Sequence, residues 1–346
     1  MSFHSKLGPS SSSRWMNCPG SVRLINQITI EEKSSPYAEE GTKAHSLSEL
    51  MCINQDQEEF EGFDEEMHTE VRKYVDYVMS HMTNRNCVLY SEVKVPLTHS
   101  LKETGTSDNV VMDWDNKTIH VFDLKYGKGV KVWATNNSQG RIYAIGSLLE
   151  FDVHNEMEDV VIHIGQPRLN HFHTEELTTK ELNKYARKVK KAAKATKNPN
   201  APVIPGSLQC RWCNAAPECK ELRDFTNKTV GEEFDDLDSE LLTVEELSEV
   251  LSHKELIISF LNKVEERITD LLKADEDVPG FEIGYSKTNR KWNENAEKFL
   301  VKKLGKDAFQ KAPLITLGKA EKLLGKETIN QHTIKPEGKI IPIKMK

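Results

Sequence analysis

The sequence predicts an α/β fold: a mixed central sheet flanked by helices, closed by four cysteines and followed by a helical, basic C-terminal extension. Three observations carry that prediction. Stretches with helical apolar spacing alternate with short strand-like runs between residues 36 and 196. A group of cysteines, Cys210-Arg-Trp-Cys213 with Cys219, has a distant fourth member in Cys18, which would tie the first segment of a domain to its last. The third is charge. Residues 281–346 carry 15 Lys and Arg against 7 Asp and Glu, so a chain of net charge −7 holds +8 there and −15 on residues 1–280.

The elements follow in order. The Ser10–Ser13 run caps a short helix that carries Trp15 and delivers Cys18. Pro36 to about Met51 reads as a helix with His45 and Glu49 on one face. Residues 66–82 read as a second helix, with Val71, Val75 and Val78 at helical spacing. Strands are expected at Val88–Val95, Asn109–Trp114 and Thr118–Leu124, the last two joined by a two-residue turn at Asp115-Asn116. A helix from Asn137 to about Phe151 and a buried strand at Val160–Ile164 come next, then a long amphipathic helix over Glu175–Thr196. Thr243-x-x-Glu246 is a capping box that opens a helix to about Ala274. Beyond it lie a strand at Phe281–Tyr285 and helices at 295–304 and 317–325. The resulting organisation is a domain over 1–228, an acidic linker over 229–242, and a helical and basic region over 243–346.

Composition narrows the function classes. No run approaches the roughly eighteen apolar residues of a membrane span, and MSFHSKLGPSSSSRW lacks the apolar stretch of an export signal. Six cysteines in a chain expected to be cytoplasmic point to ligands or buried thiols rather than disulfides, and Cys52 and Cys87 have the apolar neighbours of buried thiols. The basic tail suits contact with nucleic acid or an acidic protein, although a solvated lysine-rich surface is the more ordinary explanation of such a charge run.

The residues that carry chemistry lie around one hairpin. A tight turn at Asp115-Asn116 sets Trp114 opposite Lys117, and that register carried back puts Asp108 opposite Asp123 with both side chains on one face. Two-residue alternation adds Lys125 to the same face. Carboxylates so close repel unless a cation bridges them, and Mg²⁺ or Mn²⁺ is the natural bridge. A lysine beside the ion can polarise a water or stabilise charge developing on phosphorus. The plain alternative is a hairpin with a surface Asp–Lys pair. Against it stand the glycine-flanked Tyr126-Gly-Lys-Gly turn, the helical pair Gln139 and Tyr143, and His45 as a third ligand.

These motifs in this order, His45, Gly105-x-x-Asp108, Asp123-x-Lys125 and Gln139-x-x-x-Tyr143, resemble the PD-(D/E)xK nucleases of the RecB type. The four cysteines resemble the iron–sulfur subgroup of those enzymes. Ser11-x-x-Arg14-Trp15-x-x-Cys18-Pro19, the Asp123-to-Gly129 run and Gln166-Pro-Arg-Leu-Asn170 further resemble an uncharacterised family of phages and prophages, a likeness that reaches Ser286-to-Trp292. The resemblance implies a restriction-endonuclease-like core. It also implies that His45, Asp108, Asp123 and the Leu124 carbonyl bind Mg²⁺ or Mn²⁺, that Lys125 assists the nucleophilic water, and that Gln139 and Tyr143 contact DNA or brace the site. Glu92 lies on the preceding strand, where such enzymes often hold a carboxylate.

Four thiolates suit a structural Zn²⁺ or a [4Fe–4S] cluster equally as ligands. The lone distant Cys18 departs from paired zinc knuckles, and with the resemblance it favours the cluster on Cys18, Cys210, Cys213 and Cys219. The function expected is a metal-dependent deoxyribonuclease, an exonuclease rather than an endonuclease, acting on single-stranded or duplex ends of phage DNA in replication or recombination, in the cytoplasm of a bacterial host. The competing expectation is a non-catalytic DNA-binding or recombination-accessory protein on the same fold. A further partner, such as a single-strand-binding or recombination protein, is expected at the basic tail.

Overall fold

The computed structural model describes residues 7–28, 36–55, 57, 60–98, 103–235, 244–286, 288, 290–309, 314–334, 336 and 340–344. The chain divides into two compact units, Met1–Ser259 and Phe260–Lys346. The larger begins with short helices α1 (Ser12–Asn17) and α2 (Gly20–Ile25), then α3 (Pro36–Ile53) and α4 (Glu65–Met79). Trp15 of α1 is fully buried and donates its indole N–H to the Gly8 carbonyl at 3.1 Å. The Ser10–Ser13 run makes no side-chain cap for α1; the Ser12 hydroxyl instead lies 2.7 Å from that of Ser138. In α4, Asp64 caps the start by accepting from the Met67 N–H, and Val71, Val75 and Val78 are buried as their spacing predicts.

A five-stranded sheet forms the centre: β1 (Cys87–Pro96), β2 (Thr104–Asp113), β3 (Thr118–Leu124), β4 (Asp159–Gln166) and β5 (His171–Thr178), hydrogen-bonded in that order. All pairs are antiparallel except β3 with β4. That parallel pair needs a crossover, supplied by α5 (Ser138–Glu150), whose N-cap Asn137 accepts from the Gly140 N–H at 3.1 Å. One sheet face packs under α5 and α6 (Thr179–Ala195) through Val110, Met112, Val121, Ile142 and Val189. The other packs under α3 and α4 through Val111, Phe122, Leu124, Leu47 and Val75. Gly146 lets α5 sit against β1: a Cβ there would meet the Pro96 carbonyl oxygen at 2.4 Å and the Val95 Cβ at 2.7 Å.

The hairpin register is the expected one. Asp113 pairs with Thr118 and Asn109 with Phe122, although the connection is Trp114–Lys117, with Lys117 left-handed at φ 51. The helix expected over Glu175–Thr196 is a correction at its N-terminal end. Residues up to Thr178 belong to β5, where Glu175 pairs with Ile162, and the helix starts at Thr179 behind a Thr178/Glu181 capping box.

After α7 (Ser207–Cys210), helix α8 (Lys220–Asp235) continues through residues 229–235, so the first part of the expected linker is helical; residues 236–243, including Thr243, lie outside the described residues. The single helix expected to about Ala274 is two, α9 (Val244–Ser252) and α10 (Lys254–Lys273). The smaller unit is not purely helical. It pairs β6 (Phe281–Tyr285) with β9 (Ile340–Lys344), and β7 (Lys291–Trp292) with β8 (Thr333–Ile334). Helices α11 (Ala296–Leu304), α12 (Leu317–Leu324) and α13 (Lys326–Asn330) surround a core of Leu300, Ile315, Ala320 and Ile329. Among the described residues no helix is long and apolar enough to cross a membrane.

Candidate active site and cysteine cavity

Three carboxylates stand in one row across three strands. In the β1–β2 ladder Ser91 pairs with Asn109 and Val93 with Ser107, which leaves Glu92 opposite Asp108. The β2–β3 register, extended by one step, sets Asp108 opposite Asp123. Glu92 itself adopts a left-handed backbone, φ 50. There β1 changes face: Cys87 and Leu89 pack beneath α4, whereas Val93 and Val95 join the cluster beneath α5.

Other elements bring the remaining groups. From α3, His45 places Nδ1 3.2 Å from Asp108 Oδ1. Asp108 Oδ2 accepts the Leu124 backbone N–H at 2.6 Å. Lys125 Nζ lies 2.7 Å from Asp123 Oδ2 and donates to Asp123 Oδ1 and Gln139 Oε1, both at 3.0 Å. Gln139 in turn donates to Asp123 Oδ1 at 3.1 Å and to the Tyr143 hydroxyl at 3.2 Å. His45, Asp108, Asp123, Lys125, Gln139 and Tyr143 therefore fall in one connected site. Gly105 is required there by space, since a Cβ would meet Pro9 Cγ at 2.5 Å and Tyr143 Cε1 at 2.9 Å.

The electrostatics are those of crowded acids. Burial, reinforced by Asp108, lifts Glu92 to about 7. Burial likewise raises Asp123, against the pull of Lys125. For His45, burial disfavours the cation, but the Asp108 charge and hydrogen bond outweigh it and raise the pKa. Tyr143 is raised by burial and by Asp123. One ligand atom each from His45, Glu92 and Asp108 lies within 4.8 Å of the others, and buried Asp123 Oδ2 makes no hydrogen bond despite its ion pair. An imidazole and clustered carboxylates with an oxygen in reserve are a donor set that fits a divalent cation. Glu92, legible in the sequence only as a carboxylate on the preceding strand, belongs to this group.

The motif residues outside this set hold the loop after Lys125 and tie it to α3 and α4. Arg168 reaches Glu40 at 3.0 Å and Glu66 at 3.2 Å and lies over the Tyr126 ring, while Lys128 pairs with Glu66 at 2.6 Å. Gln166 accepts the Val132 N–H and donates to the Val130 carbonyl, fixing the loop after Lys125.

Cys18, Cys210, Cys213 and Cys219 line one cavity, with Leu24, Val203, Ile204, Leu222 and the polar Ser21 and Gln209 among its other walls. Burial raises the Cys210 thiol to about 11, with the three other cysteines adding to it. Gly20 donates to the Pro202 carbonyl at 2.9 Å and Ile204 to Cys18 Sγ at 3.2 Å, so the backbone itself joins the two ends. Arg14 lies within electrostatic reach of Cys213 and Cys18. Four thiols converging on one cavity beside a guanidinium fit a thiolate-ligated centre. Cys52 and Cys87 are buried apart from it, as expected.

A family model described as "Protein of unknown function (DUF2800)" matches residues 4–343. Among solved structures, that of SSO0001 is 13% identical, over 62% of this chain and 85% of its own, at a TM-score of 0.29. That likeness is too slight to carry an argument.

Proposed function

Because the chain belongs to this family of unknown function, we propose from the site alone that it is a metal-dependent deoxyribonuclease of the PD-(D/E)xK type. The observation that carries the reading is the row Glu92–Asp108–Asp123, flanked by His45 and Lys125. His45, Glu92, Asp108 and Asp123 would hold Mg²⁺ or Mn²⁺, with the Leu124 carbonyl as the further ligand that the motif implies. Such an ion supplies Lewis acidity at a phosphoryl oxygen and lowers the pKa of a bound water.

The chain's own residues do the rest. Lys125, fixed between Asp123 and Gln139, presents N–H donors where a water must be oriented and where charge develops on the phosphate. Tyr143 holds the Gln139 amide, and so the lysine, in place. Asp108 is itself oriented by the Leu124 N–H, which fixes the carboxylate relative to β3. The cysteine cavity would take a [4Fe–4S] cluster, or Zn²⁺ in its stead, as a clamp that joins the ends of the unit. Exonucleolytic action on DNA ends in phage replication or recombination is the finer form of the reading.

The test is digestion of 5′- and 3′-labelled single- and double-stranded DNA, with covalently closed circles alongside, in Mn²⁺ and in EDTA. Mn²⁺-dependent degradation that disappears in Asp108→Ala and Lys125→Ala is the expected result. Equal degradation by pure variants rejects the site, and wild-type binding without cleavage makes the chain a DNA-binding accessory protein.

A further inference from the structure

On the sheet face opposite Asp123, three imidazoles converge. His120 and Phe122 alternate along β3 with Val121 and Asp123, and Phe122 packs beneath α4 while Val121 packs beneath α5. On β4, His163 is the register partner of Phe122 and stacks on its ring, with centroids 4.2 Å apart and planes 15° apart. His81 follows α4 directly. One ring nitrogen from each histidine lies within 4.8 Å of the other two, and His120 Nδ1 is 3.0 Å from His163 Nε2.

Tyr77 orients two of the rings. His81 Nδ1 lies 2.8 Å from the Tyr77 carbonyl oxygen. A carbonyl only accepts, so that nitrogen carries the hydrogen and Nε2 keeps its lone pair. His163 Nδ1 lies 2.8 Å from the Tyr77 hydroxyl, a group able to accept its N–H, and Nε2 faces His120. Imidazoles whose outer N–H is anchored to a protein oxygen while the other nitrogen points at neighbouring imidazoles are arranged as metal ligands are. The 3.0 Å between His120 Nδ1 and His163 Nε2 is close to the about 3.3 Å that separates nitrogens about 2.0–2.1 Å from a tetrahedral ion.

We propose that His81, His120 and His163 form a second metal site, a three-imidazole centre for Zn²⁺ that fastens the end of α4 to β3 and β4. Neutral imidazoles suit zinc and its transition-metal neighbours rather than the hard cations that fit the carboxylate row. His81 and His120 are part-exposed, which gives the ion a way in.

The experiment uses the full chain without a polyhistidine tag, stripped with EDTA and titrated with Co²⁺ as a spectroscopic probe, then with Zn²⁺. The wild type should take up one more equivalent than His81→Gln or His120→Gln. That equivalent should show visible ligand-field bands without added thiolate-to-cobalt charge transfer, which separates it from the cysteine cavity. Zn²⁺ should displace the cobalt and raise the melting temperature of the wild type more than that of either variant. Both positions are part-exposed, so circular dichroism should show the fold retained; His120→Asn is the reserve variant. Equal stoichiometry and equal spectra for the wild type and the folded variants would overturn the site.

Discussion

Glu92→Gln should make the metal-free protein more stable while removing a proposed metal ligand. The Glu92 carboxyl stands at about 7 in the fold against an ordinary 4.5, because burial and then Asp108 oppose its charge. A folded-state pKa above the unfolded one means that the protonated group favours the fold below about pH 4.5. That contribution declines between about pH 4.5 and 7 and is absent above. At full strength the displacement is worth about 3 kcal/mol; partial exposure of the side chain screens this to roughly 1–2 kcal/mol. Gln keeps the shape and cannot ionise. Urea unfolding in EDTA should therefore place Glu92→Gln roughly 1–2 kcal/mol above wild type at pH 8, a gain of several degrees in melting temperature, with the gap closing towards pH 4.5. Adding Mn²⁺ should then stabilise the wild type more than the variant, because the variant binds the ion less well. Parallel pH profiles for the two proteins would refute the reasoning, since Glu92 would then be ionised in the fold as freely as in the unfolded chain.

Other outcomes follow from single contacts. Gly146→Ala must push α5 off the Pro96 carbonyl, and should lower stability by about 1–3 kcal/mol in urea unfolding. Arg141 pairs through two nitrogens with buried Glu175; Arg141→Ala leaves that carboxylate uncompensated and should cost about 3 kcal/mol by the same measurement. Thr178→Ala removes the α6 cap and should cost about 1 kcal/mol. Anaerobically purified wild type should be brown with broad visible absorbance, and Cys18→Ser should lose most of the colour; a colourless protein that holds one zinc per chain would assign the cavity to zinc.

The hairpin was legible in the sequence because the Asp115-Asn116 turn and the two-residue alternation fix a register, and the register alone faces Asp108 with Asp123. It stayed legible even though the observed connection is longer than two residues, since the same strand positions remain paired. The β5 end of the long helix was not, because Glu175 and Leu177 look as much like a helix start as a strand until Ile162 and Arg141 claim Glu175. Glu92 could be noticed as a carboxylate on a strand, but its left-handed backbone and the change of face at β1 are tertiary. The histidine group was invisible because His81, His120 and His163 share no spacing; only the β3–β4 pairing and the last turn of α4 assemble them.

The backbone at Glu92 has an evolutionary consequence. A left-handed, non-glycine residue whose side chain faces another carboxylate is disfavoured twice by folding, once through φ and once through charge. Random drift at that position should run towards glycine or asparagine, which relieve both burdens without touching the core. Descendant sequences that keep a carboxylate at 92 would thus be under selection for what the carboxylate does, and those that shed it would mark lineages in which the scaffold outlived its chemistry. Residue 92 would then serve as a register of functional loss across the family, one that reads independently of Asp108 and Lys125.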